Sequence, residues 1–327
     1  MTTTAPPSAA PPEKQRTVTR PGDRVFAGLS RGSGILLLVV MAAIAVFLGV
    51  RAAHAISGDH GNFLTTFEWN AALTPPKFGV AVLAYGTVVS AVIAMVIAVP
   101  IAVGIALFIT HYAPRRLGDV IAYVIDLLAA VPSIIYGLWG ALFLVPHMHG
   151  LNLWMNHYLG WTVIFKMTDP DAPARSLFTV GVLLAIMILP IITNVSREVI
   201  RQVPRMHEEA ALALGATRWE VIRMSVLPFA RSGIISASML GLGRALGETM
   251  AVATVLSASP TISAHLLDSP SGGTFSQNIV AKFGEATDFG RDALIASGLV
   301  LFFITLLVNG AARLIIARRK EYSGANA

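Results

Sequence analysis

The sequence predicts an all-α, polytopic membrane protein with six transmembrane helices. Three observations predict it. Six apolar stretches are long enough to cross a bilayer, whose hydrocarbon core of about 30 Å takes roughly 20 helical residues. The composition is too apolar for a water-soluble domain: 55% of the 327 residues are hydrophobic, 13% are charged and the mean hydropathy is +0.69. The basic residues also alternate in number from loop to loop, as they do where a membrane fixes topology.

The first apolar stretch, residues 33 to 50, follows a tail rich in Thr, Ala and Pro that carries Lys14, Arg16, Arg20, Arg24 and Arg31. It is longer than the apolar part of a signal peptide and starts late, so it is expected to be a retained first span. The tail is too polar and proline-rich to fold alone. Further spans are expected at 79 to 110, 118 to 145, 177 to 195, 230 to 257 and 293 to 317. Pro100, Pro132 and Pro190 fall inside three of them and are expected to kink those helices. Residues 1–32 then form a disordered cytoplasmic tail, 33–318 the transmembrane domain and 319–327 a short cytoplasmic tail.

Orientation follows from Lys and Arg. The amino-terminal tail has five, the turn at 111 to 117 two, the 196 to 231 segment six and the carboxyl-terminal end four, against two in each of the three alternate loops. Both termini and the 196 to 231 segment are therefore expected in the cytoplasm. Trp69, Trp154, Tyr158 and Trp161 fall in the outer loops, where amphipathic rings suit the interface.

The net charge of +6 does not suggest nucleic acid, because the basic residues form no aromatic-interleaved stripe. Cysteine is absent from the sequence, which excludes disulfides and thiolate metal sites. His147 and His149, two apart in an expected loop, carry no metal signature.

Two constellations carry function. The first is EEAALALGATRWEVIRMSVLPFA, Glu208 to Ala230, between spans four and five. Glu208 to Leu214 favours helix, Gly215 a helix end, and Thr217 can cap a second helix from Arg218. Such a helix-turn-helix can protrude from the membrane, with Ala210 and Ala211 permitting close approach and Glu209 offering a carboxylate to a partner. By residue chemistry alone it can equally lie amphipathic at the headgroups.

The second is GLGRALGETMAV, Gly241 to Val252, inside the fifth span. It sets Arg244 and Glu248 four residues apart on one expected helix face. A charge at mid-bilayer costs about 2.5–3.5 kcal/mol on insertion scales, so both need burial, pairing or water. Arg244 is read as the fixed cation that an anion meets in crossing, since a guanidinium matches tetrahedral oxyanions with parallel hydrogen bonds. Glu248 is read as its partner, holding it in one conformation and releasing it in another; a permanent, purely structural ion pair is the alternative. Gly241, Gly243 and Gly247 are expected to mark a face open to another helix. Asp126 is expected to be a packing acceptor in the third span, and Asn194 and Ser196 to cap the fourth.

The first constellation resembles the EAA loop of ATP-binding-cassette importer permeases. Glu209, Ala210, Ala211, Gly215, Leu227 and Pro228 stand at the family's spacing, with Ser225 where the family has isoleucine. The run RALGETMAV and the run VPSIIYGLWG from Val131 to Gly140 resemble the C-type permease of the phosphate-specific transport system. The resemblance implies a type I importer permease fold with an EAA coupling loop at 205–229. It implies that Glu209, Ala210, Ala211 and Gly215 dock the ATPase, and that Arg244 and Glu248 line the path of phosphate. The implied partners are a second homologous permease, two nucleotide-binding ATPase subunits, an external phosphate-binding protein and the lipid bilayer, with no nucleic acid. No G-x-x-x-x-G-K-[ST] run occurs, so no cofactor is expected on this chain and ATP is used by the partner subunit; the chain is expected to be no enzyme. Rival readings are a permease for sulfate or molybdate, a stand-alone ion-coupled carrier using Glu248 or Asp126, and a membrane scaffold that reports phosphate status to a kinase.

Overall fold

The computed structural model describes residues 21–71 and 75–320, and the tails 1–20 and 321–327 lie outside the described residues. Six helical runs are long and apolar enough to cross a membrane: Pro21–Gly58, Ala81–Tyr112, Ser133–Leu159, Leu177–Arg201, Arg218–Leu246 and Asp288–Ala311. The all-α class stands, with one addition: a two-residue antiparallel pair, β1 (Trp69–Asn70) and β2 (Lys77–Phe78).

Helix α1 (Pro21–Gly58) is longer than the stretch of 33 to 50 at both ends, so residues 21–32 are helical rather than disordered. The chain forms two units, one ending at Phe47 and one from Leu48 onward. In the first, Ile35, Leu36, Leu37 and Leu38 are all exposed, as lipid-facing residues would be. In the second, Ala52 and Ala55 pack with Phe78, Ala293 and Ala296.

The centre of the second unit is α6 (Leu177–Arg201), which buries Leu183, Leu184, Met187, Ile188 and Ile192. Its principal neighbour is α2 (Ala81–Leu107). The reason is legible in α2: Ala91, Ala94, Ala98 and Ala102 recur at three- and four-residue intervals and are all essentially inaccessible. Small side chains on one stripe let two helices approach closely where no hydrophobic effect drives them together. On α6, a Cβ at Gly181 would stand 2.6 Å from the Ile93 Cβ, so no larger residue fits there.

Pro100 and Pro190 lie within α2 and α6, but Pro132 does not lie within a span. The expected third span, 118 to 145, is broken there. A residue preceding proline is pushed out of the helical region; α3 (Arg115–Ala129) ends before Val131, and Pro132 adopts an extended conformation ahead of α4 (Ser133–Trp139). The span continues through a π turn (Gly140–Leu144) into α5 (Val145–Leu159), so His147, His149, Trp154 and Tyr158 are helical rather than in loops. Helix α3 packs instead on α6.

After α6 come α7 (Arg205–Ala213), α8 (Arg218–Val221) and, past a π turn, α9 (Leu227–Leu246). The expected fifth span of 230 to 257 is also broken: α9 ends at Leu246, and a separate α10 (Met250–Val255) follows. Helix α11 (Phe275–Lys282) and α12 (Asp288–Lys320) complete the chain, α12 running two residues into the expected tail of 319–327.

Candidate functional site

The EAA segment folds as its residues dictate. Gly215 has φ +85°, a conformation that glycine adopts without a Cβ penalty. Around it the Gly215 N–H donates to the Leu212 carbonyl at 2.9 Å and the Ala216 N–H to the Ala211 carbonyl at 3.1 Å, which closes α7 in a Schellman motif. Thr217 and Glu220 then form a capping box at the start of α8: the Glu220 N–H donates to the Thr217 hydroxyl, and the Thr217 N–H donates to the Glu220 carboxylate at 2.7 Å. Two short helices are thereby held around one tight turn.

Glu209, Ala210 and Gly215 are exposed on this turn. Ala211 is not: it packs against the protein's own cluster of Ile200, Val203, Val221 and Val226. The expectation that both alanines face a partner is thus corrected, because at consecutive helical positions the side chains point about 100° apart. Sequence reasoning missed the apolar surface beside them, where Met206, Leu212 and Trp219 are exposed and Leu214 is 90% exposed. It also missed the link at the other side of α7, where the Glu208 carboxylate lies 3.5 Å from His111 at the end of the second span.

The second constellation is rearranged by the helix break. Gly247 ends α9, and the Glu248 carboxylate, 9% exposed, accepts the Ala251 N–H of α10 at 3.2 Å. Arg244 and Glu248 therefore do not share one helix face, and among the described residues no ion pair joins them. The physical reason is that a free N–H at the start of α10 offers the carboxylate a local partner. Helix α10 is fixed in turn by α4, since a Cβ at Gly137 would lie 2.8 Å from the Ala251 Cα and overlap the Thr254 hydroxyl.

Arg244 is half-buried, with its Nε shut off from solvent and without a hydrogen-bond partner. It lies within Coulombic reach of Tyr136, whose hydroxyl donates to the Leu128 carbonyl at 2.8 Å. It also lines a cavity of about 460 Å³ with Ser236, Leu240, Gly243, Asn309 and Arg313. Of the three glycines, Gly241 alone meets a neighbouring helix, its Cβ position lying 2.7 Å from Ile192. Gly243 faces open space, and Gly247 approaches only its own helix.

Asp126 is 3.8 Å from the guanidinium of Arg197, a pair that ties α3 to α6. It is outside the six spans, a consequence of the break at Pro132. Asn194 and Ser196 are inside α6, which ends at Gln202, so neither is a cap.

Six membrane-spanning helices, with a compact helix-turn-helix between the fourth and fifth and a half-buried guanidinium near the end of α9, define a multi-pass membrane protein. Residues 98–321 match the family described as "Binding-protein-dependent transport system inner membrane component", and the chain belongs to that family, a multi-pass inner-membrane protein. Within it, the chain is similar to "Phosphate transport system permease protein PstC 2" of Mycobacterium tuberculosis, 46% identical over 300 residues that cover 90% of this chain and 92% of the relative. It is likewise similar to "Phosphate transport system permease protein PstC" of Mycobacterium leprae, 45% identical over 92% of this chain and 95% of the relative. In fold it is similar to a bacterial ABC transporter involved in the import of the acidic polysaccharide alginate, at TM-score 0.55 and 18% identity, covering 90% of this chain and 99% of that one.

Proposed function

We propose that the chain is the permease subunit of an ATP-binding-cassette importer that carries inorganic phosphate across the cytoplasmic membrane. The observation that carries the reading is the position of Arg244, a half-buried cation inside a span that has no carboxylate partner among the described residues, in a chain whose relatives are phosphate permeases. A guanidinium there would meet the anion in transit. Glu248 stands on the same path as the residue that fixes the turn between α9 and α10.

The exposed surface of α7 and its turn, with Glu209, Ala210, Gly215 and Leu214, supports docking of a nucleotide-binding subunit in the cytoplasm. Ala211 would act from beneath by seating α7. In this reading two ATPase subunits, a second permease and an external phosphate-binding protein complete the importer, both termini are cytoplasmic, and the chain binds no ATP and catalyses no reaction. ATP closure of the cassette pair would move α7 and switch the cavity between outward and inward access.

The relatives' names favour phosphate over sulfate or molybdate. A stand-alone carrier is disfavoured, because Asp126 is paired with Arg197 and Glu248 is engaged at α10. The test is reconstitution of the purified complex in vesicles with its binding protein. Uptake of radiolabelled phosphate that requires ATP and survives collapse of the proton gradient is the expected result; uptake that follows the gradient and ignores ATP would overturn it.

A further inference from the structure

The stripe of α9 that carries Arg244 faces a second polar element. Ser236, Leu240 and Arg244 recur at intervals of four, with Gly243 three residues after Leu240, all on one face of a helix. Asn309 and Arg313 stand four apart on α12, which packs against α9. All six line the one cavity of about 460 Å³. At Gly243 a Cβ would meet no atom within 4 Å, so the missing side chain leaves the stripe open beside Arg244.

Among the described residues no carboxylate lines this cavity. Its guanidiniums belong to opposite walls, and Arg244 Nε has no partner. Arg244 is half-buried and Arg313 exposed at the mouth; two like charges on one cavity repel each other, and an anion between them converts that repulsion into two attractions. Beside the charges stands the Asn309 amide, which donates two N–H bonds, while the Ser236 hydroxyl donates to the Ser232 carbonyl of its own helix at 2.9 Å. That set suits a tetrahedral ligand with several acceptor oxygens.

We propose that Arg313 and Asn309 of α12 form the second half of an oxyanion site with Arg244 of α9, built to hold a phosphoryl group. This rests on the reading of Arg244 as the path cation and extends it to a helix that the sequence motifs do not touch. Free phosphate and the headgroup of an anionic phospholipid both supply that chemistry.

The test uses the assembled complex in vesicles, with its other subunits free of reactive thiols, because this chain has no cysteine of its own. Arg313→Cys should assemble with wild-type yield and lower phosphate uptake by about tenfold, the loss of one charge-assisted hydrogen bond. Modification with aminoethyl methanethiosulfonate, which restores a cation, should recover much of the rate, whereas the neutral methyl reagent should not. A merely structural residue would not distinguish the two reagents. The comparison is made in phosphatidylcholine alone and with phosphatidylglycerol added. A defect of equal size in both assigns the site to free phosphate; a wild-type stimulation by phosphatidylglycerol that Arg313→Cys removes assigns it to the headgroup. Wild-type uptake by Arg313→Cys in both membranes, with Arg244→Gln inactive, overturns the second half of the site alone. Wild-type uptake by Arg244→Gln as well overturns the underlying reading too.

Discussion

At the scale of single residues, the decisive finding is that Arg244 and Glu248 have separate surroundings. A charge in a span must be paired, hydrated or used. Glu248 is satisfied by the Ala251 N–H, and Arg244 is left facing a cavity. Arg244→Ala should therefore abolish phosphate uptake and leave insertion intact, and Arg244→Lys should remain impaired because an ammonium lacks the planar fork. Arg244→Ala combined with Glu248→Ala should be no better than the single change; uptake at near the parent rate in the double variant would identify the two as a structural ion pair after all. Lys282 offers a second test at this scale. Burial lowers its pKa, and its ammonium lies 5.7 Å from the Trp69 ring. A lysine whose folded pKa lies below the unfolded value binds fewer protons when folded, so stability should rise with pH between the lowered value and the ordinary lysine value of about 10.4. Thermal midpoints of the complex across that window should rise for the parent relative to Lys282→Met, and parallel curves would count against it.

At the scale of elements, two helix breaks and one turn govern what the molecule presents. The turn is the most legible of the three, because Gly215 and Thr217 each specify a local geometry that needs no tertiary support. It holds Glu209 outward, next to an exposed Leu214. Glu209→Lys should leave the protein inserted and reduce recovery of the ATPase subunit in pull-downs, since it reverses the charge at the proposed docking surface. Gly215→Ala should be milder, at about 1–2 kcal/mol of local strain, and should show as weaker substrate stimulation of ATP hydrolysis. Full recovery and full stimulation in both variants would remove α7 from the coupling role. The breaks were less legible. Pro132 was visible in the sequence, but a proline inside a long apolar run is compatible with a kink or with an end, and only the docking of α3 on α6 decides for the end. The break at Gly247 has still less local signal, since the apolar run continues across it and the carboxylate that caps α10 reads equally as a charge partner for Arg244.

At the scale of the whole molecule, the basic-residue count and the six helices make topology testable. Single cysteines at Arg205 and at Glu285, both exposed, should label from opposite sides of the membrane, with Glu285→Cys reacting in intact cells. Ser271 is unsuited to this purpose because it is 2% exposed. Labelling of Glu285→Cys only after permeabilisation would invert the orientation.

The sequence by itself determined the membrane class, the approximate place of five of the six spans, the geometry of the EAA turn and the identity of Arg244 as the unusual charge. Each of these follows from local or additive quantities: apolar length, loop charge, and the backbone preferences of glycine, threonine and alanine. Tertiary structure alone decided that the third span starts at Ser133, that Glu248 serves α10, that Ala211 faces inward, and that Asn309 and Arg313 share a cavity with Arg244. These are pairings between residues that are remote in sequence or compete for one partner. Which pairing wins depends on the close approach of whole helices, which neither spacing nor propensity records.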